Sequence, residues 1–562
     1  MEHNLLVMNI LRTYLPITIL VSLTSTVATF INIFLTGIWL GDVEVQIISV
    51  PSYLTLYISV TGSMVATGGS VIFSRFMAKG DRKRAANSYS IAIITAIVVG
   101  AIFMAVCIVY AYILLSGVET HVSDVINGDY IRAIGLSAIP LLMLQVQIMF
   151  LRMDNDRFLA LTCFAVYIII DIASVWFNLE AGNGSFGVGI SVAEGSIAAL
   201  LLAPIHRRLK DRNMWFTKPF ELAKGLSRLS KIGFRSILNR VCMSVRYYFL
   251  KAFIVATGIG TTACLTAQNT MLHLVVALFS GCAIMANIMC GIFYQQGDRR
   301  AIMETLRELI QASLIISTIV AVLIMVLSED IVDLLVSGEE SRNSALWCLR
   351  WFCLSIPTTT LSMIMIYTYQ ATHRKVYASI LVVYRSLLLL MLAVFLLAPA
   401  LGEAAVWTSF ILADLFALST MVIVAWIRNR RFPRSIDDLV MVHGKRYENV
   451  PLLDMSIHND RDELNVLLSS LGEAMSSDSV ETDTARDVLD RVERIIGDTI
   501  DTGYRDQKRH QIDIIVRHEN GINITIRDDA AVRIEVPKGV RHTNSMGLNI
   551  YYLDVGKAEK AF

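Results

Sequence analysis

Charged residues are scarce in this sequence. Asp, Glu, Lys and Arg together make up 17% of its 562 residues, apolar residues make up 55%, and the mean hydropathy is +0.57. Soluble domains average about 25% charged residues, so this composition excludes an ordinary soluble protein of this length. The shortage is local, because long apolar runs extend to Ile427, whereas the composition from Arg428 onward is that of a soluble domain.

Signatures of several other protein classes are also missing. The eight cysteines lie in or beside apolar runs without a metal-type CxxC pair, so we expect buried, reduced thiols. The formal net charge is only +1, which gives no sign of a nucleic-acid partner. The N-terminus lacks the short apolar core and cleavage site of a removable signal peptide, and residues 11–40 are long enough to span a membrane.

Twelve apolar runs reach the roughly 20 residues that a membrane-spanning helix requires. They cover residues 12–38, 46–76, 88–115, 130–151, 159–178, 186–205, 232–257, 262–294, 308–328, 345–370, 377–398 and 404–427. One set of connections is rich in Lys and Arg, whereas the opposite set contains a single basic residue, Arg342. Because basic residues are retained on the cytoplasmic side, both termini are predicted to be cytoplasmic.

The chain contains an internal repeat. Gly80-Asp81 ends one apolar run, and Gly297-Asp298 ends another 217 residues later. Pro140 and Pro357, and Arg157 and Arg374, keep the same spacing. Each copy has an even number of spans, so the copies face the same way and are related by a pseudo-twofold axis along the membrane normal.

This repeat divides the chain into five predicted parts. Residues 1–214 form a first lobe of six transmembrane helices, and residues 232–430 form a second lobe of six. Between them, residues 215–231 alternate apolar and basic residues at helical spacing, which predicts an amphipathic segment on the inner membrane surface. Residues 431–449 are a linker to a cytoplasmic domain at 450–562.

An ordered set of short motifs resembles the multidrug and toxic compound extrusion (MATE) transporters. It comprises Leu15-Pro16, the run from Asn32 through Gly37 to Gly41, Gly68-Gly69-Ser70, Arg132 with Pro140, and Val406-Trp407 with Asp414. The resemblance covers residues 1–430. It implies two six-helix lobes that form a V, a central cavity that opens alternately to each side, and export driven by a proton or sodium gradient.

Two carboxyl groups lie inside predicted spans of the first lobe, Asp171 in the fifth and Glu194 in the sixth. Charges there are costly, so each is a candidate functional group. A carboxyl group held out of water can load and release a proton, and Asp171 matches the fifth-helix Asp of the family motif. Asn32 replaces the family's first-helix Asp and cannot titrate. The alternative is that hydroxyl groups or an Arg satisfy Asp171 and Glu194 structurally.

The second lobe is basic instead. Its spans contain the residues Arg240, Arg246, Lys251 and Arg385, opposed by Asp414 alone, so sodium coupling in this lobe is disfavoured. Arg246 and Arg385 are expected either to clamp a carboxylate or phosphate group of a substrate, or to pair with Asp171, Glu194 or Asp414 as gates or structural ties. Gln268 and Asn269 are further polar candidates for the cavity wall.

The tail is predicted to be a small α+β domain. The sequence pattern predicts a strand over 450–457, helices over 462–477 and 482–501, a hairpin of 511–516 with 522–527, and a last helix over 545–553. The domain resembles the ATP-binding fold of histidine kinases and anti-sigma-factor serine kinases, with Glu493, Asp498, Asp528 and Gly547 at its nucleotide-binding positions. Arg494, Asp498 and Ala530 depart from that pattern, which favours a nucleotide-binding relic or a regulatory module over a working kinase.

These features predict an all-α polytopic membrane protein of twelve transmembrane helices in two pseudo-symmetric lobes, with a small α+β cytoplasmic C-terminal domain. The resemblance implies a MATE-type antiporter of the plasma membrane, coupled to protons and exporting small organic molecules by alternating access. Neither catalytic residues nor a resident metal or cofactor are expected, apart from the coupling ion.

Three alternatives remain at this point. A lipid-linked oligosaccharide or envelope-precursor flippase and an anion exporter belong to the same wider superfamily. A membrane sensor would instead signal through the tail. The expected partners are the lipid bilayer, a small organic substrate that the basic lobe would suit as an anion, and a regulatory protein or a second copy of the chain at the tail.

Overall fold

Helices dominate the structure of the residues that precede the tail. The structure is a computed structural model, and it describes residues 6–20, 52–77, 81–115, 128–153, 156–202, 216–258, 263–335, 339–440, 451–477, 482–504, 509–518, 522–532, 534–537, 539–545 and 547–555. The helices are α1 (Leu6–Leu20), α2 (Ser52–Met77), α3 (Arg82–Leu115), α4 (Gly128–Met153), α5 (Arg157–Glu180), α6 (Gly184–Leu200), α7 (Leu222–Thr257), α8 (Ala263–Gln296), α9 (Arg299–Val326), α10 (Ser328–Leu335), α11 (Glu339–Ala371), α12 (Lys375–Leu401), α13 (Ala404–Asn429) and α14 (Ile436–Val440).

Within the described ranges, eight helices are long and apolar enough to cross a membrane. They are α3, α4, α5, α8, α9, α11, α12 and α13. Most of the first predicted span, 12–38, lies outside the described residues, so the count of twelve stays a prediction. The seven cysteines with described side chains are buried and form no disulfide bonds with one another, as their apolar surroundings indicate.

The two repeats share the same turn. The Asp81 side chain accepts a hydrogen bond from the Arg84 N–H at 3.0 Å, and Asp298 accepts one from the Ala301 N–H at 2.9 Å. An Asp at this position satisfies an N–H group that the first turn of a helix leaves unpaired. The Asp of the duplicated Gly-Asp motif therefore caps the start of the following helix in both repeats.

The helices form two groups of contacts. In the first lobe α4 packs against α2, α3 and α6, and in the second α11 packs against α8, α9 and α13. The lobes meet where α2 crosses α7. A methyl group added to Gly68 would lie 2.6 Å from the carbonyl oxygen of Leu229, and one added to Gly233 would lie 2.5 Å from that of Met64. The glycines thus permit close contact between the backbones of the two lobes.

Helix α7 is longer than the predicted seventh span. It begins at Leu222, so the second half of the predicted surface segment 215–231 forms the first turns of α7. The alternation of apolar and basic residues continues without a Pro from Leu222 into the span, which allows one uninterrupted helix.

The tail is an antiparallel sheet with two helices on one face. Its strands are β1 (Leu453–His458), β2 (Gln511–His518), β3 (Ile522–Asp528), β4 (Val540–Ser545) and β5 (Leu548–Val555), in the order β1-β2-β3-β5-β4, and its helices are α15 (Arg461–Ser477) and α16 (Thr482–Asp498). Apolar residues of β2, β3 and β5 form one core with α15 and α16. The predicted strand, two helices and hairpin are therefore confirmed.

The predicted last helix over Ser545–Leu553 is wrong. Gly547, with a φ of +77°, forms the turn between β4 and β5, and the residues after it are strand. Asn-Ile-Tyr-Tyr-Leu alternates between the two sheet faces and contains a β-branched residue and two aromatic ones, which favours a strand over a helix.

Candidate functional sites

The first site lies between α5 and α6 in the first lobe. Asp171 on α5 is fully buried, and the Ser191 hydroxyl on α6 donates a hydrogen bond to its Oδ1 at 2.9 Å. The same hydroxyl also lies 2.8 Å from the Val188 carbonyl oxygen, so its single hydrogen is shared between the two acceptors. The carboxyl group is thus held by a neutral hydroxyl on the neighbouring helix.

Glu194 occupies a separate polar cluster on the same pair of helices. The hydroxyl of Ser174 donates to Glu194 Oε2, and the amide of Asn178 donates to the same oxygen at 3.4 Å. Asn178 in turn accepts from Asn183 at 2.8 Å. Hydroxyl and amide groups therefore hold Glu194.

Gly195 allows α5 and α6 to approach closely around Asp171. An added methyl group would lie 2.7 Å from the Tyr167 carbonyl oxygen and 3.1 Å from Asp171 Cβ. We expect Gly195→Ala to force the helices apart and to lower the free energy of unfolding by about 1–3 kcal/mol. Gly291→Ala is the matched control, because the nearest atom to its added methyl group is 4.0 Å away. Equal melting temperatures of the Gly195→Ala and Gly291→Ala proteins, measured by tryptophan fluorescence, would contradict this packing.

The second site is a pocket inside the second lobe. Its volume is about 430 Å³, and its walls contain Arg246, Arg385, Asp414, Thr359 and Phe410. Arg385 Nε forms an ion pair with Asp414, and both side chains are buried. Thr359 also donates to Asp414. Asp414 is thus the partner of Arg385 within one lobe, and the pair does not cross the cleft.

A π-helical turn over Tyr384–Leu388 interrupts α12 at Arg385. Such turns are rare and are found frequently at functional sites, because the extra residue rotates the side chains that follow it. Here the turn contains the pocket-lining residues Arg385 and Ser386. The sequence has no signal, such as a Pro, that would have predicted the interruption.

Arg246 is the second arginine in the pocket wall, and the ion pair between Arg385 and Asp414 does not include it. It is 8% exposed, and its guanidinium lies 5.2 Å from the centre of the Phe410 ring. Within the described residues its guanidinium forms no ion pair with a carboxylate, so the side chains that line this pocket carry one net positive charge. A cation–π contact offsets only part of the cost of burying a charge.

The remaining predicted cavity residues are dispersed. Gln268 is buried on α8, and Lys251 on α7 is exposed, and neither lines this pocket. Arg240 and Asn269 lie on α7 and α8, but their side chains fall outside the described part of the chain. Asn32 lies outside it entirely.

A cavity lies between the lobes, as the resemblance implies. It has a volume of about 570 Å³ and is lined by α2 and α4 of the first lobe and by α8 and α11 of the second. Its polar residues include Ser70 and Asn287, which are separated by the repeat spacing of 217 residues. Comparison of polar residues at equivalent positions in the two repeats would have found this pair.

The tail residues that resemble a nucleotide site lie on α16, at the end of β3 and in the turn between β4 and β5. Glu493 is exposed on α16, and Asp498 is half-buried at the end of that helix. Gly547 belongs to a hairpin turn and contacts the Tyr14 ring of α1, whereas the resemblance places it in a phosphate-binding loop. Only Asp528 is fully buried.

Asp528 makes the tail sensitive to pH. Burial raises the pKa of Asp528 to about 6 from 3.8, although Asn549 and the Ala530 N–H donate to it at 2.6 and 2.9 Å. The stabilisation that Asp528 contributes is complete below pH 3.8, which is the ordinary pKa of an Asp in an unfolded chain. It is lost as the pH rises through about 6, the pKa of Asp528 in the folded tail. The free energy of unfolding of the tail should therefore fall by up to about 3 kcal/mol between acid and neutral pH.

The substitution Asp528→Asn should remove that pH dependence. Hydrogen exchange of residues 511–555 in the intact protein, corrected for the intrinsic effect of pH, measures the change. Asp487→Asn is the control, because Asp487 is an exposed residue of α16. An Asp528→Asn protein with the pH dependence of the parent would contradict the assignment.

The transmembrane architecture has known relatives. A model of the MatE family matches residues 16–177 and again residues 236–395, which are the two predicted repeats and more than half of the chain. The chain belongs to the MatE family. No curated protein sequence gives a significant match.

Solved MATE structures share the fold. A MATE transporter in complex with MaL6 is 19% identical, with a TM-score of 0.65 over 75% of this chain and 95% of the other. A multidrug resistance MATE transporter in an outward-facing conformation is 18% identical, with a TM-score of 0.64 over 75% and 94%. A transporter of the wider superfamily from Pyrococcus furiosus is 17% identical, with a TM-score of 0.64 over 74% and 94%. The protein is therefore a multi-pass membrane transporter with the MATE fold.

Proposed function

We propose that this MATE-family protein is a proton-coupled exporter of small organic molecules that works by alternating access. The observation that carries the proposal is the buried Asp171 with its Ser191 donor. A serine hydroxyl can donate to a carboxylate and accept from a carboxylic acid, so the partner can stay in place in both states. Proton exchange at Asp171 then requires no new ion pair.

The charge pattern supports the orientation in the plasma membrane. The turn with Arg299 and Arg300 lies at the end of the helical region that contacts the tail, and Arg82–Arg84 occupy the equivalent positions of the first repeat. By the retention of basic residues this end is cytoplasmic, together with both termini. The first lobe contains the coupling site, and the two lobes move relative to each other about their pseudo-twofold axis.

One observation favours an anionic or zwitterionic substrate over a cation. The second-lobe pocket is lined by two Arg side chains and one carboxylate, and that carboxylate is already paired. We propose Arg246 as the group that binds a carboxylate or phosphate of the substrate, since guanidinium groups form charge-assisted hydrogen bonds with both. The ion pair between Arg385 and Asp414 holds these two side chains in place in the pocket wall.

Transport by purified protein in proteoliposomes tests the proposal. Fluorescent organic cations and anions are loaded, and efflux is followed under an imposed pH gradient, a sodium gradient or neither. We expect efflux of the anions driven by the pH gradient. Efflux that requires sodium, or that is confined to cations, would contradict the coupling ion or the substrate class respectively.

A further inference from the structure

The tail sheet has two covered faces. Helices α15 and α16 cover one, and the ends of the transmembrane helices cover the other. Leu548 and Ile550 of β5 are fully buried and belong to the apolar core of the helical region, and Tyr552 packs against that core. The sheet is therefore docked on the transporter by the face that α15 and α16 leave free.

The contacts with the second lobe centre on a buried arginine. Arg527 of β3 is 2% exposed and lies 2.6 Å from Asp298, the residue that caps α9. It also lies 3.1 Å from Asp513 of β2, 3.2 Å from Gln296 Oε1 and 5.2 Å from the centre of the Phe293 ring. Asp513 belongs to the tail itself, so undocking would keep that pair and would break the contacts of Arg527 with Asp298, Gln296 and Phe293.

Two further side chains extend this contact. Arg517 of β2 donates to the carbonyl oxygen of Gln296 and, at 2.7 Å, to that of Gly297. The Gln296 amide donates to the Tyr552 hydroxyl at 3.2 Å. The tail thus binds the turn between α8 and α9, which is the second copy of the repeated Gly-Asp motif.

The contacts with the first lobe are fewer. The Asn9 amide of α1 donates to Asp529 at 3.2 Å, and the Tyr14 ring lies against Gly547. Strand β4 also lies beside α2. Among the described residues no ion pair joins the tail to this lobe.

The docked tail lies beside the cavity between the lobes. Ile292 and Gln295 line that cavity, and the residues next to them in sequence, Phe293 and Gln296, contact the tail. On the other side of the cavity, α2 contributes Thr67 and Ser70 and also contacts β4. The tail therefore connects the two walls of the cavity at one end of the protein.

We propose that the tail domain is a clamp that holds the two lobes together on its side of the membrane. The lobes separate there only when the tail releases one of them. Because Arg527 fixes the tail to the second lobe, the tail releases the first lobe, at Asn9 and Tyr14, and stays with the second. A ligand that binds the tail and displaces α1 would thereby open the cavity.

Two disulfide staples test the clamp in the full-length protein. Asn9→Cys with Asp529→Cys joins the tail to the first lobe, and Gln296→Cys with Tyr552→Cys joins it to the second; the native side chains of each pair have atoms 3.2 Å apart. Because cysteine is shorter than the residues it replaces, a bis-methanethiosulfonate reagent bridges each pair through two reducible disulfide bonds. Hydrogen exchange of residues 64–71 and 284–292, which line the cavity, is measured in lipid nanodiscs. This readout needs neither a substrate nor a coupling ion, so it does not depend on the proposed function.

We expect the first-lobe staple to slow exchange of the cavity-lining segments severalfold and a reductant to restore it. The second-lobe staple should leave exchange at the level of the reduced protein. Asn9→Ala should accelerate exchange, whereas Arg491→Gln, on the opposite face of the tail, should not. Equal exchange with and without the first-lobe staple, or equal slowing by both staples, would overturn the proposal.

Discussion

Replacement of Asp171 by asparagine should remove most of the transport driven by a pH gradient while the protein stays folded. Asparagine has the same shape and can keep a hydrogen bond with Ser191, which lies 2.9 Å from the carboxyl oxygen. It cannot release a proton, so the gradient no longer drives the movement of the lobes. We expect the rate of proton-driven transport to fall about 10- to 100-fold, which is the size of a typical coupling between two binding sites.

The matched control for Asp171 is Glu194→Gln. Glu194 lies on the facing helix and is already held by Ser174 and Asn178, so we expect a much smaller loss of proton-driven transport. Counterflow, the exchange of substrate across the membrane without a gradient, separates coupling from binding. Asp171→Asn should retain counterflow. Proton-driven transport by Asp171→Asn at the parent rate would show that the coupling site lies elsewhere.

Replacement of Arg246 by glutamine should weaken the binding of anionic substrates by about 10- to 100-fold, because a hydrogen bond to a charged group contributes about 1.5–3 kcal/mol. Binding of cations should be unchanged or stronger. Lys251→Gln is the matched control, since Lys251 is a basic residue on the same helix but is exposed outside the pocket. Concentration-dependent quenching of a fluorescent anion measures the effect.

Arg385→Gln distinguishes the two arginines of the pocket. Its loss leaves Asp414 buried without its ion-pair partner, so we expect the protein to lose about 3–5 kcal/mol of stability. Arg246→Gln should have little effect on the melting temperature. Equal losses of stability in both variants would mean that Arg246 is also structural and would remove the basis for an anion site.

The lobes could be predicted because their signals are local or periodic. The turns at Gly80 and Gly297 combine an apolar run, a cap and basic residues, and both halves of the chain match one family. The prediction for the tail was wrong at Ser545–Leu553, because a short apolar run after a glycine does not distinguish a helix from a strand. This segment forms a strand because it pairs with β3, which lies elsewhere in the sequence.

Side-chain partners were harder to predict than helices. A sequence shows that Arg246, Arg385 and Asp414 lie within spans, but which two of them pair depends on how the helices are rotated. Arg385 lies in a π-helical turn, which changes that rotation and has no signal in the sequence. The docking of the tail was hidden for another reason. Asp513 and Arg527 alternate with isoleucines, a pattern typical of a face exposed to water, and only the assembled lobes show that this face is buried.

The distance between the two lobes tests the central claim most directly. Spin labels at Lys83→Cys and Arg300→Cys occupy equivalent, exposed positions in the two repeats, in a chain whose eight native cysteines have been replaced. Pulsed electron resonance in nanodiscs then gives the distance distribution at about pH 5.5 and about pH 8. The account predicts two distances with populations that change with pH in the parent protein and do not change in Asp171→Asn. A pH-dependent shift that persists in Asp171→Asn would contradict it.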